Sequence, residues 1–339
     1  MNKNRLSKNL SFLHSIIGIG ILSVLPLLSS CEKEEPLWKL PPPGEEEIDQ
    51  VAMGETYTTT VFYKFKTQTK IERSINLFHL AFESNTEGYR VKMNNGKNVQ
   101  VFNTHSTNFS ETFSVNNNTA WSYDAPNGHL DSTAIGNWLS NTETRESKNE
   151  VYIIDLGDGA SPKYKKFQLL HVSDSTYTIQ HANTDNSNLQ QCTFKKETTA
   201  TFTYFDFFSN TTINYEPSPL DYDIVFTKYK HIFNEDGVIT PYSVNGALLN
   251  PVNTYAAKGN AGDFASISYN DAAQLNYTNA ANLIGYGWKY YNLEESKYSV
   301  LPNLFVVKDA EGVLWKLEFL DFYNNTGYKG YPKFRFQRL

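Results

Sequence analysis

The chain repeats itself as β-structure, and that repeat limits the fold more than any other feature. Val61-Phe62-Tyr63-Lys64-Phe65 is matched by Thr203-Tyr204-Phe205-Asp206-Phe207. Each leads into a second apolar run. The first is Leu77-Phe78-His79-Leu80-Ala81-Phe82, and the second is Asp221-Tyr222-Asp223-Ile224-Val225-Phe226. The ends of the halves correspond too: residues 151–155 and 166–170 parallel 304–308 and 316–320. The offset is 142 residues at the start and 150 at the end, and loop lengths account for the drift. Self-similarity of this kind implies two related units of roughly 145 residues, with a boundary near residue 197.

Within each unit the pattern is that of strands. Residues 202–207 and 316–322 alternate faces, and Phe334-Arg335-Phe336-Gln337 reads as a final half-buried strand. Gly157-Asp158-Gly159 and Asp309-Ala310-Glu311-Gly312 sit between strand pairs as turns, where glycine supplies positive φ. Aromatics make up 14% of the chain and charged residues 19%. That balance suits pleated, half-buried surfaces. The expectation is an all-β fold of two tandem, related, antiparallel sandwich-like units, residues 56–196 and 197–339, with short helices in loops. Residues 131–139 are the best helix candidate, with Asp131-Ser132-Thr133 as a cap and Ile135, Trp138 and Leu139 on one face. Residues 272–283 are a second, Asn-rich candidate.

The N-terminus carries an address. Lys3, Arg5 and Lys8 precede an apolar stretch that ends in Leu28-Ser29-Ser30-Cys31. An aliphatic residue, two small residues and a cysteine form the pattern of a lipobox. Residues 1–30 read as a signal peptide that is removed, and Cys31 as the thiol that receives lipid. Glu32-Lys33-Glu34-Glu35 resembles the export signal that sends lipoproteins of Bacteroidetes to the cell surface. Pro41-Pro42-Pro43-Gly44 and Glu45-Glu46-Glu47 then favour extended, solvated backbone, so residues 31–55 read as lipidated cysteine plus tether.

Several functions are excluded or left without support. Net charge is −6 with no basic stripe, which argues against nucleic acid. No Gly-x-Ser-x-Gly elbow, His-Glu-x-x-His or phosphate loop is present, so the chain reads as a binder and not an enzyme. Cys192 is the single thiol left once Cys31 is lipidated and reads as structural. His79, inside an apolar run, reads as a hydrogen-bonded core residue. His171 and His181 flank a strand; His105 and His129 lie in polar loops. No metal site follows from this spacing.

The element Asp223-Ile224-Val225-Phe226 with Thr227-Lys228-Tyr229 resembles the Trp-Asp-Leu-Ala-Phe strand of the HmuY-like lipoproteins. So do Trp288, the run Val306 to Gly312, Lys316 to Tyr323, the Gly327-Tyr328-Lys329-Gly330 turn and the terminal Phe334-Arg335-Phe336 strand. The likeness is strongest over residues 200–339, and His79 stands where an Asp is usual. The resemblance implies an all-β surface lipoprotein that captures haem or a related tetrapyrrole and passes it to a TonB-dependent transporter for iron acquisition. The paired-histidine site does not carry over, because no His or Met follows His231. Tyr290 or Tyr291 could then ligate iron, or they and Trp288 could stack on a hydrophobic ligand. A ligand-free module docking on an outer-membrane transporter is the alternative. Cys31→Ala is expected to abolish incorporation of labelled fatty acid and to release the protein from the membrane fraction.

Overall fold

Nearly every regular element is a strand in the computed structural model, which describes residues 42–339. The signal segment, Cys31 and the first part of the tether lie outside the described residues. The chain begins with β1 (Glu47–Gln50), the hairpin β2 (Thr59–Lys64) and β3 (Thr69–Ser74), then β4 (Leu80–Glu83), β5 (Val91–Met93) and β6 (Gln100–Asn103). A small hairpin, β7 (Leu139–Asn141) and β8 (Glu146–Ser147), follows. A meander comes next: β9 (Val151–Asp155), β10 (Tyr164–Val172), β11 (Thr176–Asn183) and β12 (Gln190–Lys195).

The second half runs in the same way. It comprises β13 (Phe202–Asp206), β14 (Thr211–Ile213), the long hairpin β15 (Ile224–Glu235) and β16 (Val238–Leu249), and β17 (Tyr255–Lys258). After the single turn of helix α1 (Tyr269–Ala273) come the small hairpin β18 (Lys289–Asn292) and β19 (Lys297–Val300), then β20 (Leu304–Lys308), β21 (Leu314–Tyr323) and β22 (Lys329–Arg338).

Four larger sheets result, with orders β12-β11-β10-β9-β6, β14-β13-β4-β5, β3-β2-β15-β16 and β1-β22-β21-β20-β17. The first two enclose one core, around Phe82, Val101, Ile154, Phe167, Tyr177 and Phe205. The last two enclose a second, around Tyr63, Phe226, Phe305, Phe319, Phe334 and Phe336. A third cluster, of Phe62, Phe78, Ala81, Phe202, Tyr215 and Tyr222, joins the two inner sheets. The inner strands are therefore buried on both faces. In β2 every residue from Thr60 to Lys64 is buried, whereas a strand with one wet face would alternate.

The sheets cross the expected boundary at residue 197 twice. The β2–β3 hairpin pairs with β15 in the second lobe, and β13–β14 pairs with β4 in the first. The first lobe is the contiguous run β4 to β14; the second is built from β1 to β3 together with β15 to β22. The tether also ends before residue 55. β1 pairs along β22 from Glu47↔Phe336 to Gln50↔Lys333, and Val51 and Met53 are core residues. Pairing with β1 covers a sheet edge that would otherwise be exposed.

Each crossing hairpin is held by one buried latch. In the second lobe Asp223, fully buried, accepts from Lys64 Nζ (2.8 Å) and the Phe65 amide (2.8 Å). In the first lobe the corresponding residue is His79, also fully buried. Its Nδ1 lies 2.8 Å from Asp206 and 3.3 Å from the Phe207 amide nitrogen. The polarity of the pair is reversed, but the surrounding bonds are not. The Asp223 and His79 amides donate to Tyr63 O and Phe205 O. Asn250 and Asn94, both buried, each donate to two loop carbonyls: Pro219 and Tyr222 in one case, Ile75 and Phe78 in the other.

Both helix expectations need correction. Residues 130–132 form one 3₁₀ turn, and 133–138 are irregular up to β7. Ile135, Trp138 and Leu139 do share a core, but from an extended segment. The second helix is α1, shorter and earlier than 272–283, and capped by Ser268 and Asp271 in a capping box.

Asp223→Ala leaves the buried Lys64 ammonium and the Phe65 amide unpaired. It is expected to cost about 3–5 kcal/mol in chemical denaturation, with Asp223→Asn losing less. Burial pushes the His79 imidazole below its ordinary range, against the pull of Asp206. Folded His79 therefore stays neutral while the unfolded chain takes up a proton near pH 6.5. His79→Gln removes that penalty. Its stability deficit against the parent is expected to narrow as pH falls from 7.5 to 5.5, and to be flat above 7.5.

Candidate functional site

The two inner sheets do not close completely on each other. Their outward faces diverge around a cleft of about 720 Å³, within the range of roughly 300–1,000 Å³ usual for small-molecule sites. Strand alternation supplies its walls. In β13, Phe205 points into the first-lobe core, while Phe202 and Tyr204 join the cluster between the lobes. In β2, Tyr63 points into the second-lobe core and Phe62 into the cleft. Phe78, Tyr204 and Tyr215 pack ring to ring at 4.5–4.9 Å. Phe62 meets Tyr222 edge-on at 4.9 Å.

The floor is polar. Glu216, 4% exposed, accepts from the Thr201 and Phe202 amides and from the Tyr222 (2.6 Å) and Tyr204 (3.4 Å) hydroxyls. Burial pushes its carboxyl above the usual range, opposed by those donors. Lys92, between inward-facing Val91 and Met93 on β5, points out of the sheet into the cleft. Its Nζ lies 5.0 Å from the Phe202 ring centre and donates to Gly128 O at 3.3 Å. Burial holds that ammonium below its ordinary range.

The roof is the loop 124–134. Asp124 pins both of its ends by accepting from the Met93 (2.7 Å) and Ala134 (2.9 Å) amides. At the loop tip, Asn127 O accepts from the Ala281 amide at 2.8 Å, so the roof is tied to the second lobe. Gly128 is needed there. Its φ is +76°, and a Cβ would lie 2.9 Å from the Ala281 Cβ. His129 is exposed on this rim and is the one histidine lining the cleft.

The residues expected to bind ligand lie elsewhere. Trp288 is fully buried and stacks on Phe319 at 4.0 Å, inside the second-lobe core. Tyr290 and Tyr291 are about half exposed on β18, and Tyr291 meets Tyr298 across the hairpin. None of the three lines the cleft. His79 and His181 both pack against Phe207, away from the cleft. His181 bonds Asn210 at 2.7 Å. His171 is exposed, and His105 faces Glu150. Cys192 is half-buried on β12, and burial pushes its thiol up to about 11. Among the described residues, no group of three or more His, Cys, Asp or Glu is placed to hold a metal. The cleft itself had a sequence signal: apolar side chains on both faces of short strands, as in Val61-Phe62-Tyr63, mark strands covered on two sides.

Compared with known proteins, residues 198–336 match the family described as HmuY protein. No curated protein matches the chain. Among solved structures it is similar to a protein of Bacteroides vulgatus described as HmuY-like and heme-binding, at 10% identity and TM-score 0.25, over 86% of this chain and 90% of that one. It is also similar to apo PinO of Porphyromonas gingivitis, at 9% identity and TM-score 0.25, over 87% and 97% of the two chains. An apo HmuY analog of Tannerella forsythia matches at 9% identity and TM-score 0.25, over 88% and 98%.

Proposed function

The chain is HmuY-like over residues 198–336, and from that match we propose that it is a surface lipoprotein binding haem or a related tetrapyrrole. Its role would be to serve uptake through a TonB-dependent outer-membrane transporter. The family match is the observation that carries this reading. The Leu28-Ser29-Ser30-Cys31 lipobox and the acidic residues behind it support the cell surface as its place.

The cleft between the lobes supports the reading in two ways. Its volume suits a ligand of this size, and its walls are aromatic rings able to stack on a flat macrocycle. The donor set fits iron only in part. His129 could supply one nitrogen donor from the rim, while Tyr204 and Tyr222 are held by Glu216. Haem would supply the iron, and the aromatic walls of the cleft would hold its ring.

The test is a titration of ferric haem and metal-free porphyrin, followed by visible absorption. The soluble form begins at Glu32, so that β1 is retained. Saturable binding of both is expected, with an added iron-dependent band shift that His129→Ala removes while porphyrin affinity stays. Saturation by neither overturns the tetrapyrrole reading and leaves a docking module for a membrane partner.

A further inference from the structure

The geometry points to the roof, residues 124–134, as a lid that pivots on Asp124, so that ligand enters and leaves the cleft where the lid tip meets Ala281. The inference rests on the tetrapyrrole-site reading and adds the route to that site.

A lid needs a fixed base, a body that moves as one piece and a tip that lets go. The base is fixed. Asp124, 2% exposed, accepts from the Met93 and Ala134 amides at the two ends of the loop. The Ala125 amide donates to Ser132 O at 2.9 Å and closes the neck. Bonds from amides to a buried carboxylate are among the stronger ones. The body is self-contained. The Gly128 amide donates to Ala125 O at 3.4 Å, the His129 amide to Asn127 Oδ1 at 3.0 Å, and the Ser132 amide to His129 O at 3.1 Å. A compact surface loop with close ends and its own internal contacts can move as a unit.

The tip is held lightly. Among the described residues, the bond from the Ala281 amide to Asn127 O is the one backbone hydrogen bond that ties residues 125–131 to the second lobe. One neutral bond of this kind is worth roughly fivefold in the ratio of closed to open forms. Lys92 adds a 3.3 Å contact to Gly128 O, but the Asp124 and Glu216 carboxylates already offset its charge. Leu130 packs partly buried against the aromatic cluster between the lobes.

The lid covers what a ligand has to touch. Phe62, Phe78, Phe202, Tyr215 and Tyr222 are 2–7% exposed, and every residue from Ala125 to Asp131 lines the same cleft. A flat ring system reaches those faces once the tip has swung away from Ala281. Gly128 keeps the seam tight, because no side chain stands between its backbone and the Ala281 methyl group.

The experiment locks the seam. Gly128→Cys with Ala281→Cys brings two Cβ atoms within about an ångström of disulfide spacing. Cys192→Ala removes the competing thiol, in the form beginning at Glu32. Binding and release of metal-free protoporphyrin are followed by stopped-flow quenching of intrinsic fluorescence. The oxidised pair should bind and release roughly tenfold more slowly, or slower still, than the same protein reduced, and reductant should restore both rates. Gly128→Ala forces a Cβ to 2.9 Å from the Ala281 Cβ, and should raise both rates severalfold with a smaller change in equilibrium affinity. Denaturation midpoints confirm that each variant is folded. If the oxidised pair exchanges porphyrin as fast as the reduced, ligand passes elsewhere and the lid inference fails, while the tetrapyrrole reading stands. A folded pair that does not oxidise overturns the seam itself. If the parent does not saturate with porphyrin, the tetrapyrrole reading falls and takes this inference with it.

Discussion

Two buried latches hold the four layers in register. Asp223 and His79 each begin an inner strand, and each grips the end of a hairpin that arrives from the other side of the chain. Without their pairing to β15 and β4, which that grip fastens, β2–β3 and β13–β14 would be two-stranded ribbons, marginal by themselves in water. With it they complete the inner sheets, and their outward faces become the walls of the cleft. The backbone bonds and the buried asparagines Asn94 and Asn250 are the same in both lobes, while acid and base have changed sides. A buried pair can be reversed this way because what must be satisfied is the partner and the local amide, not the sign of either group.

Much of the fold was legible from residue patterns. The turns at Gly157 and Gly312 and the amphipathic final strand are visible because period-two alternation and positive φ are local properties. The pairing of β2 with β15, and of β13 with β4, is not local. A hairpin reads identically whether it folds back on its own unit or crosses to the next. The tether misled for a similar reason: Glu45-Glu46-Glu47 looks solvated, and only the presence of β22 alongside makes Glu47–Gln50 a strand. The segment 131–139 has a helical cap and apolar spacing, but Trp138 is drawn into the sandwich by its bond to Tyr89 O, and tertiary packing overrides weak propensity.

The residues that line the cleft were harder to see than the strands. Trp288, Tyr290 and Tyr291 stand out as an aromatic cluster in sequence, but Trp288 ends a turn and is buried in the core while Tyr290 and Tyr291 stand half exposed on β18. Phe62, Phe202 and Tyr222 are far apart in sequence and converge only because two sheets meet back to back. Lys92 is an ordinary surface lysine by pattern, exposed on the polar face of a short strand. It becomes a cleft residue because the roof loop, pinned by Asp124, folds over it.

The first lobe is one uninterrupted stretch of chain, and the second is stitched from the two ends around it. The strand pairing of Glu47 with Phe336 closes a loop that contains the whole first lobe. Loop-closure entropy and contact order make such a pairing late. During synthesis the first lobe has all of its strands available while the second still lacks its outer sheet. Until the last strand emerges, β2–β3 waits beside a folded neighbour with its aromatic face uncovered. The order of assembly is thereby written into the connectivity, and the final residues of the chain, not the first, decide when the second lobe closes its core.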